Sequence, residues 1–167
     1  MAVPLSIRHA REEDLPAIID IFNQAIQTRS ATGYLTPFTV DERIDWFREH
    51  STETYPILVA ESQGVIIGWI SIDPYRKGRS AFLKTVEASM FIRTEYQHKG
   101  VGNQLLQEMM TTARHLGYVT FFTVVLENNT RSIALLQKNH FERWAYLPGV
   151  AHINGKSVGH VYYGKKL

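Results

Sequence analysis

A segment from Ser89 to Leu116, SMFIRTEYQHKGVGNQLLQEMMTTARHL, carries the most informative pattern in this sequence. It starts as an apolar strand, turns through Arg93–Tyr96 and reaches two glycines, Gly100 and Gly102, where a helix begins. Glycines at the entrance of a helix leave backbone N–H groups unshielded, and the helix dipole is positive there. The segment therefore predicts a site for a phosphate-bearing ligand. The helix that follows has apolar residues at helical spacing: Val101, Leu105, Leu106, Met109, Ala113 and Leu116.

The composition predicts one soluble globular domain over residues 1–167. Hydrophobic residues make up 44% of the 167 and charged residues 20%, which excludes a disordered chain. A formal net charge of +2 without a basic stripe argues against a nucleic-acid partner. The absence of cysteine excludes a disulfide framework and a cysteinyl intermediate. Because no long apolar run exists and charges interrupt the first residues, we predict no membrane partner and a cytoplasmic location.

Runs rich in β-branched and aromatic residues predict the strands. The turn Ser62-Gln63-Gly64 predicts a hairpin between two of them, and residues 149–155 predict a loop between the last two. The predicted strands are Leu5–Arg8, Tyr55–Glu61, Val65–Ile72, Ala81–Ile92, Val119–Val125, Phe141–Tyr146 and Ser157–Tyr163.

Three further segments predict helices. A second helix begins near Val40, where Thr39 and Glu42 have the spacing of a capping box. Asn128-Asn129-Thr130 caps a helix over Arg131–Asn139. The element order predicts an α/β fold with a mixed sheet, antiparallel hairpins early and a β-α-β crossover in the middle. The first helix repeats apolar residues at Leu15, Ile18, Ile19, Phe22 and Ile26.

Two common phosphate motifs do not fit the glycine run. A dinucleotide fingerprint needs a third glycine, and the run Gly100-Val101-Gly102-Asn103-Gln104-Leu105 lacks it. A Walker A loop needs a glycine five positions before its Gly-Lys-Ser, but Val150 stands there before Gly155-Lys156-Ser157. Another kind of phosphate site is required.

The run Gln97-x-x-Gly100-x-Gly102 resembles the pyrophosphate loop of the GCN5-related N-acetyltransferases (GNAT), which use acetyl-CoA. The segment NNTRSIALLQKNHF at 128–141 is similar to the second half of that family's pattern. Within the family, four further segments resemble the phosphinothricin and methionine sulfoximine acetyltransferases. These are DERIDWF at 41–47, YPILVAE at 55–61, the pair Gly68-Trp69 and the strand Thr85-Val86-Glu87.

The resemblance implies a GNAT-type single domain, with a mixed, mostly antiparallel central sheet flanked by helices and a strand-loop-helix acetyl-CoA site. It also implies a homodimer. By resemblance, the pantetheine arm pairs with the strand backbone, and Asn129 bonds the arm, although a simple helix cap explains this residue equally well. The residues implied in cofactor binding are Met90, Phe91, Ile92, Gln97, His98, Lys99, Gly100, Val101, Gly102, Asn103, Asn129 and Ser132.

Two positions depart from the family pattern. His140 replaces the glycine that precedes the family's phenylalanine, so we expect that turn to be made differently. Leu136 stands where many members carry a tyrosine that protonates the departing thiolate. A leucine cannot donate a proton, so another group, water, or no protein acid serves that step.

Glu87 is the predicted catalytic base. Alternation along its strand places it on a face that should be covered, where a carboxylate is costly unless it is paired. One interpretation is a buried ion pair with Arg76, Arg79 or Arg93. The other is that Glu87 receives the substrate ammonium and removes its proton, which a carboxylate of raised pKa does well.

The acceptor predicted from the resemblance is the α-amino group of a small polar amino acid of the phosphinothricin, methionine sulfoximine or methionine sulfone type. Arg76 and Arg79 would bind its acidic end as a fork, although a solvated basic loop explains them too. Tyr34 and Phe38 would line the substrate end, and no metal site is expected. The alternatives are a protein N-terminal or polyamine acetyltransferase and a non-catalytic CoA-binding module.

Overall fold

One sheet of seven strands organises residues 4–167, the part of the chain that this computed structural model describes. All neighbouring strands are antiparallel except β4 and β5, which run parallel. The mixed, mostly antiparallel sheet predicted from the sequence is confirmed. The strands are β1 (Ser6–His9), β2 (Ile57–Ser62), β3 (Val65–Pro74), β4 (Thr85–Ile92), β5 (Thr120–Leu126), β6 (Glu142–Ile153) and β7 (Lys156–Lys166), in the order β1-β2-β3-β4-β5-β7-β6.

Helices cover both faces of this sheet. They are α1 (Leu15–Gln27), α2 (Ile44–Arg48), α3 (Val101–His115) and α4 (Thr130–Lys138). The apolar stripe of α1 packs with Trp69 of β3 on one face. The stripe of α3 packs with Val86 and Ala88 of β4 on the other face. Alternate residues of β4 therefore point to different layers, and Glu87 lies on the α1 side.

The predicted hairpin between β2 and β3 is confirmed. Gln63 and Gly64 both have positive φ, 51° and 78°, which matches the right-handed twist of paired strands. The capping box before α2 is also present, since the Thr39 N–H donates to Glu42 Oε2 over 2.7 Å. It opens a 3-10 turn at Asp41–Arg43, and α2 itself is short.

Two predicted boundaries were wrong. The strand predicted from Ala81 begins only at Thr85, because Ser80–Phe82 forms a 3-10 turn. The loop predicted over 149–155 is mostly strand: β6 continues to Ile153 through register shifts, one of them around Gly149 at φ 62°. Bulges of this kind let a strand continue its pairing through residues that favour turns.

The chain crosses from β4 through α3 to β5, as the predicted β-α-β unit requires. The two parallel strands pair only from Thr85 to Glu87, and beyond Glu87 they separate. A hydrogen bond from Thr123 Oγ1 to Ala88 O, 2.8 Å long, closes the point of separation. A wedge-shaped opening in the sheet follows.

The prediction of one domain over 1–167 extends to residues 1–3, outside the described range, and stays a prediction. None of the helices within residues 4–167 has the length and apolar character needed to cross a bilayer.

Candidate active site

A cleft of about 580 Å³ lies where β4 and β5 separate, between the entrance of α3 and the start of α4. The structure brings most of the residues predicted for cofactor binding to this cleft. Lys99 and Val101 do not line it: Lys99 lies over the Tyr96 ring, and the Val101 side chain is in the core. The predicted residues that do line it are Met90, Phe91, Ile92, Gln97, His98, Gly100, Gly102, Asn103, Asn129 and Ser132.

The loop before α3 presents a row of free backbone donors. Within residues 4–167, none of the N–H groups of residues 98–103 has a hydrogen-bond acceptor, whereas the next one, of Gln104, donates to Gly100 O. His98 and Gly100 have left-handed backbones, with φ of 61° and 84°. Successive N–H groups in such a turn, at the positive end of a helix, form a concave anion site. The loop fits a pyrophosphate.

The charged side chains that line the cleft are positive. Arg131 and Lys138 line it, and no Asp or Glu of the described chain does. Arg131 Nη1 donates to Gln97 Oε1 over 2.7 Å, and Gln97 Nε2 donates to Ile92 O over 3.2 Å. Because its partner is neutral, Arg131 keeps its full charge for an anion. The sequence motif did not indicate Arg131, which belongs to a different helix.

Asn129 and the free edge of β4 form the other end of the cleft. The Asn129 side chain accepts the Ser132 N–H over 3.2 Å and so caps α4. Its side-chain nitrogen stays available to a ligand, so the helix-cap role and the binding role are compatible. Opposite it, Met90–Ile92 have no strand partner on the β5 side, because pairing ends at Glu87. An extended arm can therefore hydrogen-bond to this edge as an added strand.

Glu87 is half-buried and lies opposite Asp73 of β3. Burial, followed by the charge of Asp73, raises the pKa of Glu87 above its ordinary value. Glu87 makes no ion pair within the described residues. The ion-pair interpretation is therefore wrong: Arg93 pairs with Asp20 instead, at 2.7 Å, and neither Arg76 nor Arg79 forms a salt bridge with Glu87.

A second cavity, of about 310 Å³, holds both predicted acceptor arginines. Arg76 and Arg79 line it together with Asp73, the residue opposite Glu87. Arg76 has a left-handed backbone at φ 55°, unusual for a residue with a side chain and a feature that clusters at functional sites. The sequence motifs did not indicate two other residues of its lining, His50 and Tyr75.

Aromatic rings connect this cavity to the Glu87 face of the sheet. Tyr75 meets Phe122 edge-on at 5.1 Å, and Phe122 stacks on Tyr162 at 6.0 Å. Phe122 is the register partner of Glu87. The neighbouring Tyr75 and Tyr162 also raise the pKa of Arg76. Tyr162 belongs to β7, far along the sequence, and only the sheet order brings it here.

Tyr34 and Phe38 line neither cavity. Both rings pack on Phe22 of α1, at 5.6 and 5.8 Å, and Asn23 holds the Phe38 backbone through two hydrogen bonds. Tyr34 is 49% exposed. Both side chains therefore belong to an aromatic cluster that packs on α1.

The two departures from the family pattern have simple structural consequences. Leu136 is buried in the core between the helices and the sheet, so no proton donor faces the cleft from that position. His140 adopts the left-handed backbone, φ 61°, that a glycine would adopt. An exposed histidine tolerates this conformation at a modest cost, and the expectation of a different turn stays a prediction. Within residues 4–167, no cluster of side chains is arranged to hold a metal ion.

Comparison with known proteins agrees with this geometry. The acetyltransferase (GNAT) domain family matches residues 5–142. The L-methionine sulfoximine/L-methionine sulfone acetyltransferase of Pseudomonas aeruginosa is 34% identical, with 90% of this chain and 88% of that protein covered. The L-amino acid N-acyltransferase MnaT of Escherichia coli is also 34% identical, covering 87% of this chain and 84% of that protein.

A solved structure shows the same fold. The crystal structure of a GNAT superfamily phosphinothricin acetyltransferase from Sinorhizobium meliloti, in complex with AcCoA, superposes with a TM-score of 0.92 at 26% identity. The superposition covers 98% of this chain and 88% of that one. With this fold, this cleft and these relatives, the chain belongs to the GNAT family of N-acetyltransferases, in the branch that resembles the phosphinothricin and methionine sulfoximine acetyltransferases.

Proposed function

We propose that this protein transfers the acetyl group of acetyl-CoA directly to the α-amino group of a small polar amino acid of the methionine sulfoximine, methionine sulfone or phosphinothricin type. The observation that carries the proposal is the adjacency of two features on β4. The strand edge at Met90–Ile92 lines a basic cleft with a row of free N–H donors. The same strand presents Glu87, a half-buried carboxylate without an ion pair among residues 4–167.

The pyrophosphate of acetyl-CoA would lie on the N–H groups of residues 98–103, with Arg131 neutralising part of its charge. Asn129 and the edge of β4 would hold the pantetheine arm. Strand N–H groups near Met90–Ile92 would then polarise the thioester carbonyl, as a modest oxyanion hole. This arrangement fixes the acetyl group close to the Glu87 end of β4.

Glu87 would accept a proton from the substrate ammonium, because only the free amine can attack the thioester. Its raised pKa makes it a stronger base than an exposed glutamate. Attack gives a tetrahedral intermediate, which collapses with release of the CoA thiolate. Since Leu136 is buried, the thiolate takes its proton from water or from the amine nitrogen itself.

Arg76 and Arg79 would select the acceptor. A guanidinium binds a carboxylate, sulfonyl or phosphinyl oxygen in a bidentate fashion, and both arginines line the cavity that contains Asp73, the register partner of Glu87. The same cations would repel a polyamine. They favour an anionic or zwitterionic acceptor over a polycation.

We also propose a homodimer, implied by the family resemblance, and a cytoplasmic location, expected from the composition. The strand β6 supports the dimer: it is the last strand of the sheet, and Trp144, Tyr146, Leu147 and Val150 expose between 37% and 51% of their surface. Exposed apolar residues on an edge strand favour contact with another chain.

A thiol-release assay with acetyl-CoA tests the proposed activity. The acceptors to compare are methionine sulfoximine, methionine sulfone, phosphinothricin, spermidine and a short peptide. We expect turnover with one or more of the three amino acids and none with spermidine. Turnover confined to the peptide or to spermidine would contradict the proposed acceptor class. Failure to bind acetyl-CoA in a calorimeter would contradict the proposed function as a whole.

A further inference from the structure

The side chain of Asn139 connects two helices beside the cleft of about 580 Å³. Asn139 follows α4 and is only 4% exposed. Its Nδ2 donates to Oδ1 of Asn103 over 3.0 Å and to the carbonyl oxygen of Leu135 over 2.8 Å. Its Oδ1 accepts a hydrogen bond from Nε2 of Gln107. Asn103 and Gln107 lie one turn apart on α3, so one buried amide joins the first turns of α3 to the end of α4.

The Leu135 carbonyl determines the direction of these amides. A carbonyl oxygen can only accept a hydrogen bond, so the Asn139 atom beside it has to be the nitrogen. The second hydrogen of that nitrogen is donated to Asn103, so the Asn103 atom that receives it has to be the oxygen. The Asn103 nitrogen is then left over, and none of the hydrogen bonds within residues 4–167 involves it.

This nitrogen of Asn103 is accessible to a ligand. Asn103 lines the cleft, and its Nδ2 is not one of the fully buried polar atoms that lack a partner in the described chain, which are Arg43 Nε and His50 Nε2. An amide nitrogen carries two hydrogens and only donates. Asn103 therefore offers side-chain donors beside the free backbone N–H groups of residues 98–103.

Asn139 is held in place without help from Asn103. Its N–H donates to the carbonyl oxygens of Leu135 and Leu136, at 3.1 and 3.0 Å, and its carbonyl oxygen accepts Nζ of Lys165 over 2.8 Å. Lys165 belongs to β7, so the end of α4 is anchored to the sheet. A support that is already fixed can keep the Asn103 amide in one orientation before any ligand arrives.

We propose that the Asn103 side-chain amide donates to a phosphate oxygen of CoA, and that Asn139 is the positioning residue that keeps its nitrogen available for this bond. The inference rests on the proposed function, in which the CoA pyrophosphate lies on the N–H groups of residues 98–103, and adds a side-chain donor to them. A phosphate oxygen only accepts, so an amide turned the other way would face the anion with a lone pair and repel it. Fixing the amide in the free protein also lowers the ordering cost of binding.

Asn103→Asp tests the donor. An aspartate keeps an oxygen for Asn139 but replaces the free nitrogen by a second oxygen, so the contact is kept and the donor becomes an acceptor. We expect the Kd of CoA, measured by calorimetry, to rise by roughly tenfold or more, because a hydrogen bond to a charged group is lost. The melting temperature of the free protein should stay near wild type.

Gln104→Glu is the matched control for the added charge. Gln104 is the next residue of α3, is exposed and does not line the cleft. Its Kd for CoA should rise by no more than about twofold, because an exposed charge is screened by solvent and salt.

Asn139→Leu tests the positioning role. Leucine has a similar volume, Gln107 is exposed and finds water, and the Leu135 carbonyl still accepts the backbone N–H of residue 139. We expect a Kd for CoA that is roughly 2–10-fold higher, the cost of ordering one side chain on binding. In an Asn103→Ala background the same substitution should weaken binding no further, because the amide that it orients is absent. Simple loosening between α3 and α4 would instead weaken binding equally in both backgrounds.

A wild-type Kd in Asn103→Asp, or an equal rise in Gln104→Glu, overturns the donor role, and Asn103→Ala decides if Asn103→Asp does not fold. No weakening by Asn139→Leu, or equal weakening in both backgrounds, overturns the positioning role. If Asn139→Leu does not fold, Asn139→Ala is judged by the same criteria, and if neither folds the positioning role is rejected. A wild type that does not bind CoA overturns the proposed function. A wild type that binds CoA, with unaffected variants, overturns this inference alone.

Discussion

The cleft of about 580 Å³ and the cavity of about 310 Å³ differ in what they offer a ligand, and Glu87 lines neither of them. The larger cleft presents backbone groups to a ligand: the N–H groups of residues 98–103 and the strand edge at Met90–Ile92. The smaller cavity is built from side chains that come from the end of α2, from β3 and from the following loop. Backbone donors recognise a phosphate in any chain with the right turn, whereas side chains determine which acceptor fits. Under the proposed function, the cleft is therefore the general part of this enzyme and the smaller cavity, as the proposed acceptor site, its specific part.

The largest effect is expected at Glu87, whose strand contributes Met90–Ile92 to the cleft and whose register partner Asp73 lines the smaller cavity. Glu87→Gln should lower kcat/KM by about 10²–10⁴-fold, the usual range for loss of a general base, with acetyl-CoA affinity unchanged. In the wild type, activity should rise with pH through the raised pKa of Glu87, since the base must be ionised. Steady-state kinetics across pH, with calorimetry of acetyl-CoA, check both statements. A variant with full turnover would remove Glu87 from the mechanism.

Arg76→Met should affect the acceptor side only. Loss of a charged hydrogen bond costs about 1.5–3 kcal/mol, so KM for the amino acid should rise by about 10–100-fold while KM for acetyl-CoA stays constant. Lys77→Met is the matched control, because Lys77 belongs to the same exposed loop but pairs with Glu49. Equal effects of the two substitutions would mean that the loop contributes only general charge.

Gly100→Ala should affect the cofactor side only. An added Cβ meets no atom within 4 Å, so the cost is that of the left-handed backbone, about 1–2 kcal/mol. We expect roughly tenfold weaker acetyl-CoA binding if the loop relaxes away from this conformation. Gly155→Ala in the β6–β7 turn has similar φ, 74°, and open space, and should cost stability without changing acetyl-CoA affinity. Calorimetry and thermal melts of both variants measure the difference.

The smallest effect concerns the free energy of unfolding and how it depends on the ionisation of Glu87. Because the pKa of Glu87 is raised in the folded state, its contribution to stability is present in acid and is lost as the pH rises through that pKa. Glutamine stays neutral, so Glu87→Gln should be more stable than wild type at about pH 8 and equal to it near about pH 4. Urea unfolding at both pH values tests this, with Glu108→Gln on the exposed face of α3 as the control. A Glu87→Gln variant that is less stable than the wild type at high pH would contradict the raised pKa of Glu87 in the folded state.

The difference between the regions also explains what the sequence could predict. The cofactor loop is one continuous segment, so its glycines, the apolar stripe of α3 and the cap at Asn129 are all visible locally. The hairpin at Gln63-Gly64 is equally local. The strand alternation that placed Glu87 on a covered face needed no knowledge of distant residues.

The proposed acceptor cavity could not be predicted in this way. Asp73, Tyr75 and Tyr162 come close only because β3, β4, β5 and β7 are neighbours in the sheet, and His50 reaches Asp73 from the end of α2. The wrong ion-pair interpretation of Glu87 has the same origin, since Arg93 meets Asp20 of α1 across the fold. The extension of β6 through Gly149 depends on pairing with β7, which tertiary contact decides and local propensity does not.

Hydrogen exchange of backbone amides, with and without acetyl-CoA, tests the division between the two cavities most directly. Acetyl-CoA should slow exchange at residues 98–103 and at Met90–Ile92, because bound ligand would satisfy N–H groups that are otherwise free or lie at an open edge. Addition of the amino acid product should then slow exchange in the loop at residues 75–79. Unchanged exchange at residues 98–103 under saturating acetyl-CoA would contradict the proposed binding of the cofactor by these N–H groups.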